Sequence, residues 1–310
     1  MLVLDYQQTS ERLPFDQTIA ALEAMFATGC HVPLRHNHPI EVPGAESPAT
    51  LLVMPAWQVG GRLGIKTVSV YPSNTSKGLP GLHSTFILFD ATTGQPLAML
   101  DGDAITSRRT AAASALAAKY LSRPESKSLL LVGTGRVGSL LPEAYAAVRD
   151  IARVEVWDTS LEKAQKFVDA LVNMDIEASV VTDLEASARR SDIITCATLS
   201  TAPLIRGDWL APGTHLDLIG GFTPTMRESD NECFRRARVF IDTDEALAKA
   251  GDLLEPIRAG VFEPARVLAR MEDLCRKTHP GRERHDEITL FKAVGTALED
   301  LAAASLAYDA

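Results

Sequence analysis

The segment Leu129–Val132 is uninterrupted apolar sequence that runs into Gly133-Thr134-Gly135-Arg136-Val137-Gly138, after which Leu140–Val148 has helical apolar spacing. A β-like run, glycines at the first, third and sixth positions, and a helix are the parts of a dinucleotide-binding turn. The glycine roles are steric. Gly133 permits the tight turn, Gly135 lets the backbone approach a pyrophosphate, and Gly138 lets helix and strand pack closely. Backbone N–H groups of the loop and helix start, with Thr134, Arg136 and Val137 among them, then face the phosphates. The next β-like run, Val154–Trp157, ends in Asp158, twenty residues beyond Gly138, where a ribose-binding acid is expected. Its carboxylate would accept from both adenosine-ribose hydroxyls and repel a 2′-phosphate, which favours NAD(H) while leaving NADP(H) open. Thr159 beside it, and Thr198 after a later β-like run, complete the expected cofactor-binding set.

Around this turn, β-like and amphipathic runs alternate: Val154–Trp157 then Leu161–Val172, and Ala178–Val181 then Leu184–Ala188. Short β-like runs at Ile193–Ala197, His215–Ile219 and Val239–Asp242 continue the series. Strands separated by helices imply an α/β fold with a doubly wound parallel sheet. The first hundred residues have a different rhythm. Apolar spacing predicts a helix over Phe15–Ala27, and strands over Thr50–Pro55, Arg62–Tyr71, Ser84–Asp90 and Pro96–Leu100. Ala91-Thr92-Thr93-Gly94 joins the last two as a hairpin, and Gly78 and Gly94 read as turn residues. An Ala-rich helix is expected over Ser107–Leu121, and a second over Ile288–Tyr308, outside the βα series. Two domains follow: residues 1–122 with 285–310, and a Rossmann-type domain over 123–284.

The 310 residues carry a net charge of −9, which argues against broad contact with nucleic acid. Cys30, Cys196, Cys233 and Cys275 lie far apart in the sequence, without zinc-site spacing or a disulfide framework, as suits a reducing compartment. Neither a secretory leader nor a membrane span is evident, so the cytoplasm is expected. No metal is expected: His36 and His38 lack a third ligand and read as a loop. Cys196 reads as a buried small residue, His83 as a candidate cofactor contact, and Asp286-Glu287 as a cap for the C-terminal helix.

Outside the Rossmann part, Arg35, Lys66 and Arg109 sit in apolar or turn-rich surroundings. Lys66 interrupts a strand-like run, so its ammonium must reach water or pair with an anion. Ordered matches at Val53-Met54-Pro55-Ala56, Gly64-Ile65-Lys66, Leu88–Gly94, Asp101-Gly102, Ile105-Thr106 and Arg109–Ala112 resemble the ornithine cyclodeaminase/mu-crystallin family. The resemblance continues through the glycine fingerprint, Pro212-Gly213-Thr214 and Asp286–Lys292. It implies a homodimer formed by N-terminal substrate and dimerisation domains. It also implies that Arg35, Lys66 and Arg109 gather around an imino- or amino-acid carboxylate, which guanidinium groups bind bidentately. Thr85 and Thr110 match positions near substrate and cofactor. Arg109 and Thr110, opening the Ala-rich helix, are expected to reach the pyrophosphate as well.

One departure bears on the reaction. Family members that cyclise ornithine have an aspartate where this chain has Phe222, in Leu218-Ile219-Gly220-Gly221-Phe222-Thr223-Pro224. A phenyl ring cannot accept a proton or pair with an ammonium. Gly221–Glu228 is instead similar to the ketimine-reducing branch, which acts on pyrroline- and piperideine-2-carboxylate. Lys66 is then the candidate for protonating or orienting the imine, and Phe222 a candidate apolar wall. Ornithine cyclodeaminase, a related amino-acid dehydrogenase, and a dinucleotide-binding protein without turnover stay open as alternatives. Asp217 and Asp286 are the acids that could replace the missing aspartate.

Overall fold

A computed structural model describes residues 1–45, 47–171 and 176–310, without the side chains of 75 and 76. The chain divides into two compact units, Met1–Arg109 with Thr296–Ala310, and Thr110–Gly295.

The first unit begins with β1 (Leu2–Leu4), α1 (Tyr6–Glu11) and α2 (Phe15–Thr28). Then come β2 (His36–Ile40), β3 (Ala49–Trp57), β4 (Arg62–Val70), β5 (Leu82–Asp90) and β6 (Pro96–Asp101). They form one sheet in the order β1-β6-β5-β4-β3-β2, antiparallel except for β1 beside β6. The β5–β6 turn is set locally: Asp90 Oδ1 accepts from the N–H groups of Thr92 and Thr93, and Gly94 supplies φ +73°. Phe15, Ile19, Leu22 and Phe26 of α2 are buried at helical spacing. Gly64 is required by packing, since a Cβ there would lie 2.2 Å from Phe86 Cζ and 3.1 Å from Leu301 Cδ1. Leu301 belongs to the C-terminal helix, Ala297–Asp309.

The helix α3 (Gly102–Leu121) contains the boundary between the units. The second unit then alternates β7 (Ser128–Val132), α4 (Leu141–Ala146), β8 (Arg153–Trp157), α5 (Leu161–Ala170), β9 (Glu177–Val180) and α6 (Leu184–Arg190). It continues with β10 (Ile193–Cys196), β11 (His215–Leu218), α7 (Asn231–Arg236), β12 (Arg238–Ile241), α8 (Glu245–Lys249) and α9 (Gly251–Arg258). Last come β13 (Val267–Arg270), α10 (Met271–Cys275) and β14 (Thr289–Lys292). Its eight strands are all parallel, ordered β13-β12-β14-β11-β10-β7-β8-β9. From β7 the chain first goes to β8 and β9, and then back to β10 on the other side. The loops after β7 and β10 therefore meet at a topological switch point, where α/β sheets bind ligands.

Several expectations need correction. The expected helix Ile288–Tyr308 is a strand, a loop and a shorter helix. β14 is fully buried between β11 and β12, and paired neighbours on both edges override its helical neighbourhood. Residues 285–295 thus belong to the Rossmann-type unit rather than to the first. The boundary expected after residue 122 lies instead at Arg109. The second half of α3 is tied into the second unit, where Arg149 donates to the carbonyls of Ala118, Lys119 and Ser122. Because α3 starts at Gly102, Arg109 and Thr110 lie well inside it and not at its N-terminus. Thr296, not Asp286-Glu287, caps the C-terminal helix. Glu287 accepts from the Glu283 N–H at 2.7 Å. His36 and His38 lie on the edge strand β2 rather than in a loop, their rings stacked 6.3 Å apart. The predicted end of α5 at Val172 lies outside the described residues. Among the described residues no helix is long and apolar enough to cross a membrane.

Candidate functional site

The second unit contains a cavity of about 690 Å³ at its switch point. Gly133, Thr134, Gly135 and Arg136 line one side, Asp158, Thr159 and Lys163 a second, and Thr198 to Ser200 a third. The glycines behave as their spacing implies. Gly133 has φ +98°, and a Cβ on Gly138 would sit 2.1 Å from the Gly133 carbonyl oxygen. A Cβ on Gly135 would meet nothing within 4 Å, so that position faces open space suited to a phosphate. The residues fit a dinucleotide's adenosine diphosphate half, with loop N–H groups for phosphates and an acid at the end of β8 for the ribose. Val137 and Thr110 do not line this cavity.

Asp158 is itself engaged. Its Oδ2 accepts from the Thr134 N–H at 2.9 Å and hydroxyl at 2.7 Å, and its Oδ1 from the Ser160 N–H at 3.0 Å. Partial burial would raise its pKa, but these bonds outweigh that and hold it below the usual carboxylate value.

Glu228, which the sequence reading missed, holds the two loops behind the cavity. It accepts from the Thr198 N–H (2.7 Å) and hydroxyl (2.8 Å), and from the N–H groups of Gly220 (2.8 Å) and Gly221 (3.2 Å). Asp252 takes the N–H groups of Glu228 and Ser229, and also pairs with the fully buried Lys292 at 3.1 Å. Burial pushes Glu228 up to about 7, against the pull of Lys292.

Phe222 follows on an exposed loop, 49% accessible. Asp217 cannot replace the missing aspartate, because its fully buried carboxylate accepts from Tyr145 (2.9 Å) and Thr195 (2.6 Å). Burial also pushes it up to about 6. Asp286 is spent on Arg284 at 2.8 Å. Cys196 is buried at the end of β10.

The first unit gathers a second group of charges. Lys66 lies 3% exposed on β4, 2.7 Å from Asp300 Oδ2, and donates to Thr106 Oγ1 at 3.2 Å. Arg109 donates from Nε to Asp300 Oδ1 at 2.9 Å and from an Nη to Glu299 at 2.5 Å. Glu299 and Asp300 are fully buried in the C-terminal helix. Burial pushes Lys66 down to about 8, opposed by Asp300 and assisted by the cations Arg109 and Arg35. Arg35 is thus close enough to be felt electrostatically. Thr85 does not join this group. Lys66 pairs with the buried Phe86, and strand alternation sends Thr85 to the opposite face. His83 is exposed on β5. Glu299 and Asp300 were overlooked in sequence, although two adjacent acids in an Ala- and Leu-rich helix are a readable signal of buried ion pairing. Among the described residues no group of His, Cys, Asp and Glu could hold a metal.

A Delta(1)-pyrroline-2-carboxylate reductase of Colwellia psychrerythraea is 35% identical over 308 residues, 98% of this chain and 97% of the relative. The Thermococcus litoralis Delta(1)-pyrroline-2-carboxylate reductase, solved with NADH and L-proline, superposes with a TM-score of 0.91 at 34% identity, covering 100% and 97% of the two chains. An archaeal alanine dehydrogenase dimer with bound NAD gives 0.90 at 31%, covering 100% and 95%. The profile of the ornithine cyclodeaminase/mu-crystallin family matches residues 1–310, and this chain belongs to that family.

Proposed function

We propose that the protein is an NAD(P)H-dependent ketimine reductase that converts a cyclic 2-imino acid, pyrroline- or piperideine-2-carboxylate, to L-proline or L-pipecolate. The observation that carries this reading is the loop after β11. It presents Phe222 where the cyclising members have an aspartate, while Glu228 is buried on backbone N–H groups and Asp217 is locked in the sheet. A δ-amine would have no acid to steer it, whereas reduction of a ring imine needs none. The pyrroline-2-carboxylate reductases reported above support the same assignment.

A dinucleotide held by the glycine turn and Asp158 would supply the hydride that reduces an imine carbon. Lys66 and Arg109 meet the carboxylates of Glu299 and Asp300, and Arg35 is near enough to Lys66 to act on it electrostatically. A substrate carboxylate suits this group of cations, with the Arg35 guanidinium as its bidentate partner. Lys66 has two partners among the described residues, Asp300 and Thr106, so one N–H of its ammonium is available for the imine nitrogen. Asp158 favours NAD(H). The likeness to the alanine dehydrogenase dimer supports a homodimer, and four free cysteines, three of them buried, support a reducing, cytoplasmic setting.

The test is NADH consumption with Δ1-pyrroline-2-carboxylate and Δ1-piperideine-2-carboxylate, run beside ammonia release from L-ornithine with NAD and NADH oxidation with pyruvate and ammonia. Consumption confined to the cyclic imines is the expected result. Ammonia and proline from ornithine, or turnover of pyruvate alone, would overturn it.

A further inference from the structure

The charge group in the first unit has an uneven construction. Asp300 alone touches both buried cations, offering Oδ1 to Arg109 and Oδ2 to Lys66. Glu299, its neighbour on the helix, meets Arg109 from the other side. The guanidinium thus bridges successive residues of the C-terminal helix and fixes the direction of the Asp300 carboxylate. Thr106, one turn before Arg109 on α3, takes a second N–H of Lys66. On either side of Lys66 in the sheet stand Met54 and Phe86, which offer no charge.

We propose that Asp300 is a positioning residue of the reaction: by bridging Arg109 and Lys66 it keeps the ammonium charged and aims its remaining N–H at the imine nitrogen. This rests on the ketimine-reductase reading. As the hydride reaches the imine carbon, the C=N π pair moves to nitrogen and takes a proton from Lys66. The resulting neutral amine regains a proton from water.

Electrostatics gives the role its sign. Burial and the cations Arg109 and Arg35 work against the charged form of Lys66; Asp300 is the counterweight, while Glu299 meets Arg109. Burial would raise Asp300 as well, but Lys66 and Arg109 hold it below the ordinary carboxylate value, so it stays ionised throughout the working range. Without that charge Lys66 loses its proton at lower pH, and the acid is missing at neutrality.

The experiment is the pH profile of kcat/KM for Δ1-pyrroline-2-carboxylate, in wild type, Asp300→Asn and Glu299→Gln. Asp300→Asn is expected to move the alkaline limb at least one pH unit lower. Activity should then fall at least about fivefold at pH 8 and recover toward wild type near pH 6. Glu299→Gln should leave the limb in place. A purely structural loss in Asp300→Asn would depress the profile at every pH, and an unmoved limb would overturn the proposal. Should Asp300→Asn fail to fold, Lys66→Arg decides: the limb must disappear, and its persistence rejects Lys66 as the acid. If the wild type reduces no cyclic imine, the functional reading fails by itself. NMR titration of the 13Cε-labelled Lys66 then decides the electrostatic claim, which an equal midpoint in wild type and Asp300→Asn would overturn.

Discussion

In the second unit, one run of consecutive residues between a strand and a helical turn makes one side of the candidate dinucleotide cradle. In the first, the charge group draws on Arg35, Lys66, Thr106, Arg109, Glu299 and Asp300, brought together from both ends of the chain. The cradle is steric and backbone-built, open where a ligand goes and closed by glycines elsewhere. The charge group is made of side chains, with each ion held by another. A local device should fail by a local clash that leaves the other unit intact. A dispersed one should fail by leaving charges unpaired, so its loss should appear first as instability.

The largest effect is expected from the cradle. In Gly138→Ala the new methyl lies 2.1 Å from the backbone oxygen of Gly133, so the turn itself must shift. NADH affinity, followed by fluorescence titration, should fall at least about 100-fold, since misplacing a binding group by about 1 Å has that scale of effect. Gly135→Ala sharpens the comparison because its methyl meets no protein atom. The thermal midpoint should then stay put while NADH affinity falls about tenfold, or about 1.4 kcal/mol. Equal destabilisation by both substitutions would mean that Gly135 is a folding residue and not a place left open for phosphate.

Arg109→Met tests the other kind of construction. It takes a cation from the buried Glu299 and Asp300, and removing one partner from a buried ion pair costs about 3–5 kcal/mol. Urea denaturation should show a loss of that order, while NADH affinity changes by less than about threefold. Adding Glu299→Gln should recover part of the stability, because it removes one orphaned charge. No recovery would place the loss in packing rather than in charge.

This contrast also explains what could be read from the sequence. Gly133, Gly135, Gly138 and Asp158 are legible because the turn they make is short, so spacing alone carries the geometry. Lys66 was visible as an ion in a strand, but the residues that neutralise it lie more than two hundred positions away, and no local pattern joins them. β14 was hidden for a related reason. Thr289–Lys292 precedes an Ala-rich helix and shares its apolar character, so only pairing with β11 and β12 makes it a strand. Its misreading displaced the domain boundary as well. Thr85 was carried by likeness of motif, and the alternation of β5 placed it on the other face. Glu228 was quoted within a motif but given no role, because its four acceptor contacts arise only when the loops after β10 and β11 lie side by side.

The smallest effect concerns a residue shared between loop and ligand. Asp158 holds Thr134 and Ser160 with the same two oxygens that would meet the ribose, so its loop bonds and its selectivity are separable only by a ratio. Arg136 and Lys163 line the same cavity and would welcome a 2′-phosphate once the acid is gone. Asp158→Ser should therefore weaken NADH about tenfold and strengthen NADPH by a similar factor, each near 1.4 kcal/mol. The two cofactors are compared by kcat/KM with the same imine. If both weaken equally, the carboxylate only braces its loop, and cofactor choice must come from elsewhere in the cavity. If the ratio reverses while the thermal midpoint holds, repulsion of the phosphate is its role, and the cradle, unlike the charge group, can be retuned one residue at a time.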